Sequence, residues 1–385
     1  MPKVIPPPPP QPSLEETKVA VRHVRWFAVL ALALFGVMAS MTGPDSYFVE
    51  YGRTNAASWN LLKLRQLDES AVRSHRGGKV VWLVGSSMLR DSFDEKELNK
   101  ALAERDSDYR AVKFGQARGA TGLSRGILRG LPLQEGDLVL HGMGVENLRK
   151  DWVEFSRLPD WRLMLMSTEA ELWNIPSWGL QQKLETTVAR PRNFFMYQEE
   201  SMTGWSKLSY GMLWMEKPKK PRGFHHLRFR KRQELKIVDA MLNDDGRYRN
   251  HMNPGDLDTS DEQYNLQGLR TFRTLTAAAG AELVLFEHPG RREYREVYIH
   301  PEVQADWEAW LWSQPEAVTF PQPKEDAFYD TKHPNADGRE MLTSYLVDWI
   351  EHRWQRPPTD WLESWEMKVE RATGVLPKNG EEDNP

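Results

Sequence analysis

The 385-residue sequence contains no cysteine. This absence excludes disulfide bonds, cysteine nucleophiles and thiolate metal sites. A surplus of positive charge is also missing, since 51 lysines and arginines stand beside 55 aspartates and glutamates. That balance predicts no nucleic-acid partner. The sequence likewise carries no His-Glu-x-x-His motif, no acidic calcium loop and no glycine-rich phosphate loop. It therefore predicts neither a metal nor a cofactor.

Long uncharged stretches are scarce, and the clearest one covers residues 26–43, WFAVLALALFGVMASMTG. A helix of this length spans about 27 Å, which is just enough for the hydrocarbon core of a bilayer. Basic residues precede the stretch and acidic residues follow it. The positive-inside rule then predicts a single-pass anchor with a cytoplasmic N-terminus and the main domain outside the cytoplasm. The expected setting is a bacterial inner membrane with the main domain in the periplasm. Cleavage as a signal peptide near Val37 and Ala39, or a buried core helix, are the alternative interpretations.

Short apolar runs bounded by turn residues predict four buried strands, at residues 79–85, 109–115, 137–142 and 281–289. Apolar residues at helical spacing predict helices at residues 93–106, 119–131 and 263–280, and from about residue 335 onward. Strands that alternate with helices predict an α/β fold with a parallel sheet. In such folds the chemistry lies beyond the carboxyl ends of the strands.

The same patterns divide the chain into parts. The α/β domain is expected in two pieces, residues 79–147 and 263–355, and residues 148–262 are too long for a loop between them. That stretch predicts an inserted subdomain or lid. Its eight lysines and arginines within residues 217–232 indicate a solvated face or, in a functional interpretation, contact with anionic lipid or an anionic envelope polymer. The flanking parts are a proline-rich cytoplasmic tail (1–25), a juxtamembrane stalk (44–78) and a polar C-terminal tail (356–385).

A candidate nucleophile and a candidate base lie at the two ends of the predicted α/β domain. The first strand ends in Gly85-Ser86-Ser87, and a serine at a tight strand-to-helix turn is presented above the sheet. Because serine is a weak nucleophile, it needs a general base. Asp330 and His333 stand three residues apart just before the last helix, where the aspartate can orient the imidazole. This joint placement predicts a triad of Ser87, Asp330 and His333.

The order of these motifs resembles that of the SGNH (GDSL-type) hydrolases, over residues 79–147 and 263–355. The resemblance implies a three-layer α/β/α sandwich with a parallel sheet, and ester chemistry. It also implies an oxyanion hole that includes the backbone N–H groups of Ser87 and Gly115. Ser86 stands where the family has an aspartate.

The third family motif, Gly-x-Asn-Asp, departs from the pattern. Here it reads Gly142-Met143-Gly144-Val145, without the asparagine that donates to the oxyanion. Either Asn147 takes that role, or catalysis is weak, or the site is vestigial. Two histidines complete the set of candidates. His288, at a strand end, is a candidate substrate contact or alternative base, and His141, within a strand, is expected to be structural.

A Gly-Ser-Ser start combined with one N-terminal anchor is similar to membrane-anchored SGNH-like proteins of cell-envelope acyl transfer. The resemblance implies a serine O-acyltransferase or esterase that acts outside the cytoplasm on acyl esters of an envelope glycan, beside a multi-spanning acyl-donor protein. A catalytically inactive scaffold that binds polysaccharide or a membrane protein is the alternative. A third hypothesis is a lectin-like surface formed by tryptophans of the insertion, namely Trp152, Trp161, Trp173, Trp178, Trp205 and Trp214.

Overall fold

A computed structural model describes residues 21–33, 66–115, 121–150, 251–292, 298–329 and 332–361, with Glu169–Trp173 and a few single positions between them. The predicted anchor is described only as far as residue 33, within a helix over residues 21–33. That helix belongs to one compact unit, and the other described residues belong to a second. Within this described part of the chain, none of the helices combines the length and apolar character needed to cross a bilayer. The basic stretch 217–232 lies outside the described residues.

Five strands form one parallel sheet in the order β2-β1-β3-β4-β5. The strands are β1 (Lys79–Gly85), β2 (Tyr109–Gly115), β3 (Leu138–Met143), β4 (Glu282–Glu287) and β5 (Ala317–Val318). The predicted parallel α/β sheet is confirmed, and its four predicted strands lie within two residues of their expected bounds. The two-residue strand β5 was not predicted, because it is too short to show a period.

The strand order places a topological switch point beside β1. The chain runs from β1 to β2 on one side and then crosses to β3 on the other side. In open parallel sheets such a reversal leaves a crevice beyond the carboxyl ends of the two central strands, and ligands bind there. Six of the seven residues of β1 are buried, as expected for a strand paired on both sides and covered on both faces.

Besides the helix over residues 21–33, six helices of six residues or more lie in the described part of the chain. They are α1 (Ser87–Ser92), α2 (Glu95–Glu104), α3 (Thr121–Leu128), α4 (Tyr264–Ala279), α5 (Pro301–Trp312) and α6 (Ala336–His352). The single helix predicted over residues 93–106 was wrong at its start, where Phe93 is extended. The helix begins only after Asp94, whose side chain accepts hydrogen bonds from the backbone N–H groups of Lys96 and Glu97. Helix α5 was not predicted.

The helices pack against opposite faces of the sheet. Residues of α1, α2 and α6 share one apolar core with alternate residues of the strands, Leu140 of β3 among them. His141, the next residue of β3, instead contacts Phe272 of α4, and α4 packs against α3. Because successive side chains of a strand point to opposite faces, α3 and α4 cover the second face.

At the amino-terminal ends of the strands, the side chain of Asp137 joins several segments of the chain through hydrogen bonds. Its carboxylate is fully buried and accepts two hydrogen bonds from Arg73, at 2.9 and 2.7 Å. It also accepts from the backbone N–H of Val80, from the indole N–H of Trp82 and from the backbone N–H of Gln134. Burial alone would raise the pKa of Asp137, but these hydrogen bonds outweigh it and hold the pKa below its usual value.

Two segments outside the predicted α/β pieces pack on this domain. Arg73 belongs to the described part of residues 44–78, and its ion pair with Asp137 fixes that part to the sheet. At the end of residues 148–262, Met252 donates its backbone N–H to the carbonyl of Tyr298, and the backbone N–H of His300 donates to Met252. The chain therefore returns from the insertion along the segment that leads into α5.

Candidate active site

Ser87 and His333 meet at the carboxyl end of the sheet. The hydroxyl oxygen of Ser87 lies 2.9 Å from Nε2 of His333, although the two residues are 246 positions apart in sequence. Both side chains are half-buried, so that solvent reaches them. A serine hydroxyl at this distance can donate its proton to a neutral imidazole, which is the arrangement that a serine nucleophile requires.

The turn between β1 and α1 holds Ser87 in place. Ser86 caps α1, since its hydroxyl accepts the backbone N–H of Met88, and Ser87 is the first residue of the helix. Gly85 lies beneath this turn, where an added Cβ would stand 3.1 Å from the side chain of Leu89. The residue that ends β1 must therefore be small, because α1 passes directly over the end of this strand.

Three glycines lie side by side under this turn, near the carboxyl ends of three neighbouring strands. Gly115 of β2 pairs with Gly85 of β1, and the register of β1 with β3 brings Gly142 to the same level. A Cβ on Gly115 would lie 2.5 Å from Cβ of Arg90, and a Cβ on Gly142 would lie 2.2 Å from the ring of His288. The first turn of α1 and the ring of His288 thus occupy space that side chains would otherwise fill.

His333 stands on a tight loop that is closed at its base. The backbone N–H of Tyr329 donates to the carbonyl of His333, and Asn335 donates to Ala327. The ring of Tyr329 stacks on the His333 imidazole with their centroids 5.5 Å apart and an angle of 14° between the planes. Gly338 allows the first turn of α6 to approach, because a Cβ there would stand 2.4 Å from the Ala327 carbonyl oxygen. This packing fixes the direction of the imidazole.

Two further contacts join this loop to other elements of the site. The hydroxyl of Tyr329 donates to the buried carboxylate of Asp91 in α1, at 3.2 Å. The ammonium of Lys332 lies 3.5 Å from the carboxylate of Glu146, in the one-turn helix Val145–Leu148 that follows β3. The loop of His333 is therefore fastened both to the helix of Ser87 and to the loop after β3.

Asn147 is held by a chain of hydrogen bonds. Its side-chain carbonyl accepts the backbone N–H of Gly144 at 3.3 Å, and its amide N–H donates to the hydroxyl of Thr121 at 3.4 Å. The Thr121 hydroxyl lies 2.8 Å from Nε2 of His141, whose Nδ1 lies 2.7 Å from the carbonyl oxygen of Val84. A carbonyl only accepts, so His141 donates from Nδ1 and accepts from Thr121 at Nε2.

This chain assigns His141 a structural position, as its place in the strand predicts. Burial lowers the pKa of His141 to about 4, which keeps the ring neutral at physiological pH. Of the two hydrogens on the Asn147 amide nitrogen, one is directed to Thr121. The Asn147 amide is therefore oriented by the loop after β3 and by α3, with its oxygen turned toward Gly144.

His288 occupies a buried position at the end of β4. Its side chain is only 5 % exposed, and its backbone N–H donates to the carbonyl of Met143. The ring meets Phe286 edge-on with centroids 4.9 Å apart. Burial, with a smaller contribution from His141, lowers the pKa of His288 to about 3. The imidazole is therefore neutral.

Asp330, the third member of the predicted triad, lies outside the described residues. Sequence reasoning did not find the contacts of Lys332 with Glu146 and of Thr121 with His141, because each joins distant segments that share no motif. Among the described residues, no group of three or more histidine, aspartate or glutamate side chains is arranged to hold a metal ion. Of the six tryptophans proposed for a lectin-like surface, Trp173 alone falls in the described part, where it is half-buried.

No model of a known protein family matches the chain, and no curated protein matches it.

Proposed function

We propose that the chain is a serine esterase or O-acyltransferase of the SGNH type, with Ser87 as nucleophile and His333 as general base. One observation carries the proposal: the 2.9 Å contact between the Ser87 hydroxyl and Nε2 of His333 at the carboxyl end of a parallel sheet. The switch point between β1 and β3 is where such folds bind their ligands. The helices on both faces of the sheet agree with the three-layer sandwich that the resemblance implies.

The chemistry follows from this pair. His333 takes the proton of Ser87 as the serine oxygen attacks an acyl carbonyl, and it returns that proton to the leaving alcohol. The acyl group then remains as an ester on Ser87. In the second half of the reaction His333 takes a proton from the acceptor hydroxyl, which attacks the ester and frees Ser87. Water as acceptor gives an esterase, and a glycan hydroxyl gives a transferase.

The remaining catalytic roles rest on the resemblance. Asp330 would accept a hydrogen bond from Nδ1 of His333 and stabilise the imidazolium. The backbone N–H groups of Ser87 and Gly115 would donate to the oxyanion, and the close approach of Gly115 to α1 supports this pairing. Asn147 would add a third donor through the second hydrogen of its oriented amide. Removal of one such donor typically lowers the rate about 100- to 1,000-fold.

The proposed setting is the periplasmic side of a bacterial inner membrane. The uncharged run 26–43, with basic residues before it, supports a single-pass anchor. An anchored acyl-transfer domain would act beside a multi-spanning membrane protein that supplies the acyl group, and its acceptor would be an envelope glycan. The catalytically inactive scaffold remains the competing hypothesis, and the hydrogen-bonded Ser87–His333 pair favours the enzyme over it.

The experiment is hydrolysis of p-nitrophenyl acetate by the purified full chain in mild detergent. The Ser87→Ala variant should retain the circular dichroism spectrum of the wild type and lose its activity. A matched control is Ser74→Ala, because Ser74 is an exposed serine of the same domain, and its rate should equal that of the wild type. Equal rates for wild type and Ser87→Ala would refute serine catalysis and favour the scaffold.

A further inference from the structure

Asp91 is a buried acidic residue that takes no part in the acyl-transfer steps proposed above. It lies in α1, four residues after Ser87, and is only 2 % exposed. The guanidinium of Arg90 donates to both of its carboxylate oxygens, at 2.7 and 2.8 Å. The side chain of Arg339 donates to the backbone carbonyl of Asp91 at 2.8 Å. Because charge-assisted hydrogen bonds in this two-point arrangement are directional, the carboxylate has a fixed position.

Tyr329 connects this carboxylate to the proposed general base. Its hydroxyl donates to Oδ2 of Asp91 at 3.2 Å, and its side chain is buried. Its ring lies parallel to the His333 imidazole, with 14° between the planes and 5.5 Å between the centroids. Its backbone N–H donates to the carbonyl of His333 at 3.1 Å. The ring of Tyr329 is therefore held at its hydroxyl and at its backbone, and the imidazole packs against its face.

These contacts form a closed path that returns to the nucleophile. From Ser87 the path follows one turn of α1 to Asp91. It then crosses to Tyr329 and reaches His333, whose Nε2 lies 2.9 Å from the Ser87 hydroxyl. The helix that presents the nucleophile thus also holds the group against which the base packs.

The ion pair between Lys332 and Glu146 is a weaker restraint on the same loop. Its charged atoms are 3.5 Å apart, and the side chain of Lys332 is 35 % exposed. Exposed ion pairs contribute little, whereas a hydrogen bond from a hydroxyl to a buried carboxylate is among the stronger ones. The contact of Tyr329 with Asp91 therefore restrains the imidazole more strongly than the ion pair does.

We propose that Asp91 and Tyr329 are positioning residues of the acyl-transfer site: Asp91 fixes the Tyr329 ring, and that ring holds the His333 imidazole against the Ser87 hydroxyl. The inference rests on the proposed function. In this role neither residue contacts the substrate or exchanges a proton with it. A displacement of about 1 Å in a reacting group can lower a rate about 100-fold. Because His333 serves both halves of the reaction, loss of the restraint lowers kcat and leaves KM nearly unchanged.

The test compares two buried tyrosines that lose the same atom. Tyr329→Phe keeps the ring on His333 and removes the hydrogen bond to Asp91. Tyr345→Phe is the matched control, because Tyr345 is a fully buried residue of α6 whose hydroxyl donates to the carbonyl of Thr319 at 3.3 Å. In hydrolysis of p-nitrophenyl acetate by the full chain in mild detergent, Tyr329→Phe should lower kcat about tenfold and change KM by less than about twofold. Tyr345→Phe should keep the kcat of the wild type, although its lost hydrogen bond also lowers Tm.

A double-variant cycle tests whether Asp91 acts through Tyr329. Asp91→Ala removes the acceptor of the tyrosine hydroxyl, so it should lower kcat at least as much as Tyr329→Phe does. The double variant should be no slower than Asp91→Ala alone, because both changes break the same contact. Rate losses that multiply in the double variant would overturn this connection. Circular dichroism checks that each variant is folded, and the result for Tyr329→Phe decides by itself if Asp91→Ala does not fold.

Two results for Tyr329→Phe would overturn the proposal: a kcat within about twofold of the wild type, or a fall in kcat that Tyr345→Phe reproduces. In both cases, turnover by the wild type that is lost in Ser87→Ala leaves the proposed function standing. Wild-type turnover no faster than that of Ser87→Ala refutes the serine chemistry, and the positioning role is then refuted with it.

Discussion

Replacing Asp137 by asparagine tests the account of how the sheet is held together. The carboxylate has no exposed surface and accepts five hydrogen bonds. Arg73 and Val80 donate to one oxygen, and the other oxygen receives N–H groups from Arg73, Trp82 and Gln134. Whichever way an asparagine amide is turned, its NH₂ group faces at least two N–H donors. The substitution also removes the main counter-charge of the half-buried Arg73, which keeps only the exposed carboxylate of Glu69 at 3.5 Å.

The expected loss is large for a change of one atom. Removal of one partner of a buried ion pair typically costs about 3–5 kcal/mol, and we expect Asp137→Asn to fall in that range. Asp68→Asn is a matched control, because Asp68 is an exposed helix cap that accepts the N–H of Ala71. Asparagine caps helices as well as aspartate does, so that the control should change stability by less than about 0.5 kcal/mol.

The assay is urea unfolding of the full chain followed by circular dichroism, repeated from pH 7 to pH 3. The pKa of Asp137 is lower in the folded protein than in the unfolded chain. When the pH falls below the pKa of the unfolded chain, the unfolded state therefore binds more protons than the folded state. The difference in the free energy of unfolding between wild type and Asp137→Asn should therefore be largest at pH 7. It should become smaller below about pH 4. A difference in the free energy of unfolding of less than about 1 kcal/mol at pH 7, or a difference that does not depend on pH, would refute this reasoning.

Three further predictions concern packing, capping and pH. Gly115→Ala should lower stability by about 1–3 kcal/mol in urea unfolding, because its Cβ would stand 2.5 Å from Cβ of Arg90, and a neutral effect would show that α1 does not approach this strand. Asp94→Ala should cost about 1 kcal/mol through loss of the cap of α2, whereas Asp94→Asn should be nearly neutral, and equal losses in the two variants would contradict the capping role. Burial lowers the pKa of His141 in the folded protein from the ordinary value of 6.5 to about 4. Between these two values the unfolded state binds more protons than the folded state, so that stability should fall as the pH drops from 6.5 to 4. His141→Asn should flatten this decline, and an unchanged slope would contradict the assignment.

Most of the sheet can be predicted from the sequence, because buried strands consist almost entirely of apolar residues. Strand β1 is apolar along nearly its whole length, since it is paired on both sides and covered on both faces. The end of α4 follows from Gly280, which adopts the left-handed conformation after the last helical residue. The late start of α2 also has a local signal, since Asp94 and Glu97 have the spacing of a capping box.

The candidate site is predictable only in part. Ser87 and His333 are distinguished by their order along the chain and by their places next to a strand and a helix. The orientation of Asn147 depends instead on Thr121 and His141, which come from α3 and β3. No local pattern encodes such contacts between distant segments. Likewise, the packing of the His288 ring over Gly142 and against Phe286 depends on the pairing of β3 with β4, and the sequence around His288 does not reveal it.

The central claim is that Ser87 is a nucleophile activated by His333. The most direct measurement is labelling of the full chain with a fluorophosphonate probe, with the modified residue located by peptide mass spectrometry. Our account predicts an adduct on Ser87, formed at least about 100-fold more slowly in His333→Gln because the general base is missing. The absence of an adduct on Ser87 in the wild type, or labelling at the same rate in His333→Gln, would contradict it.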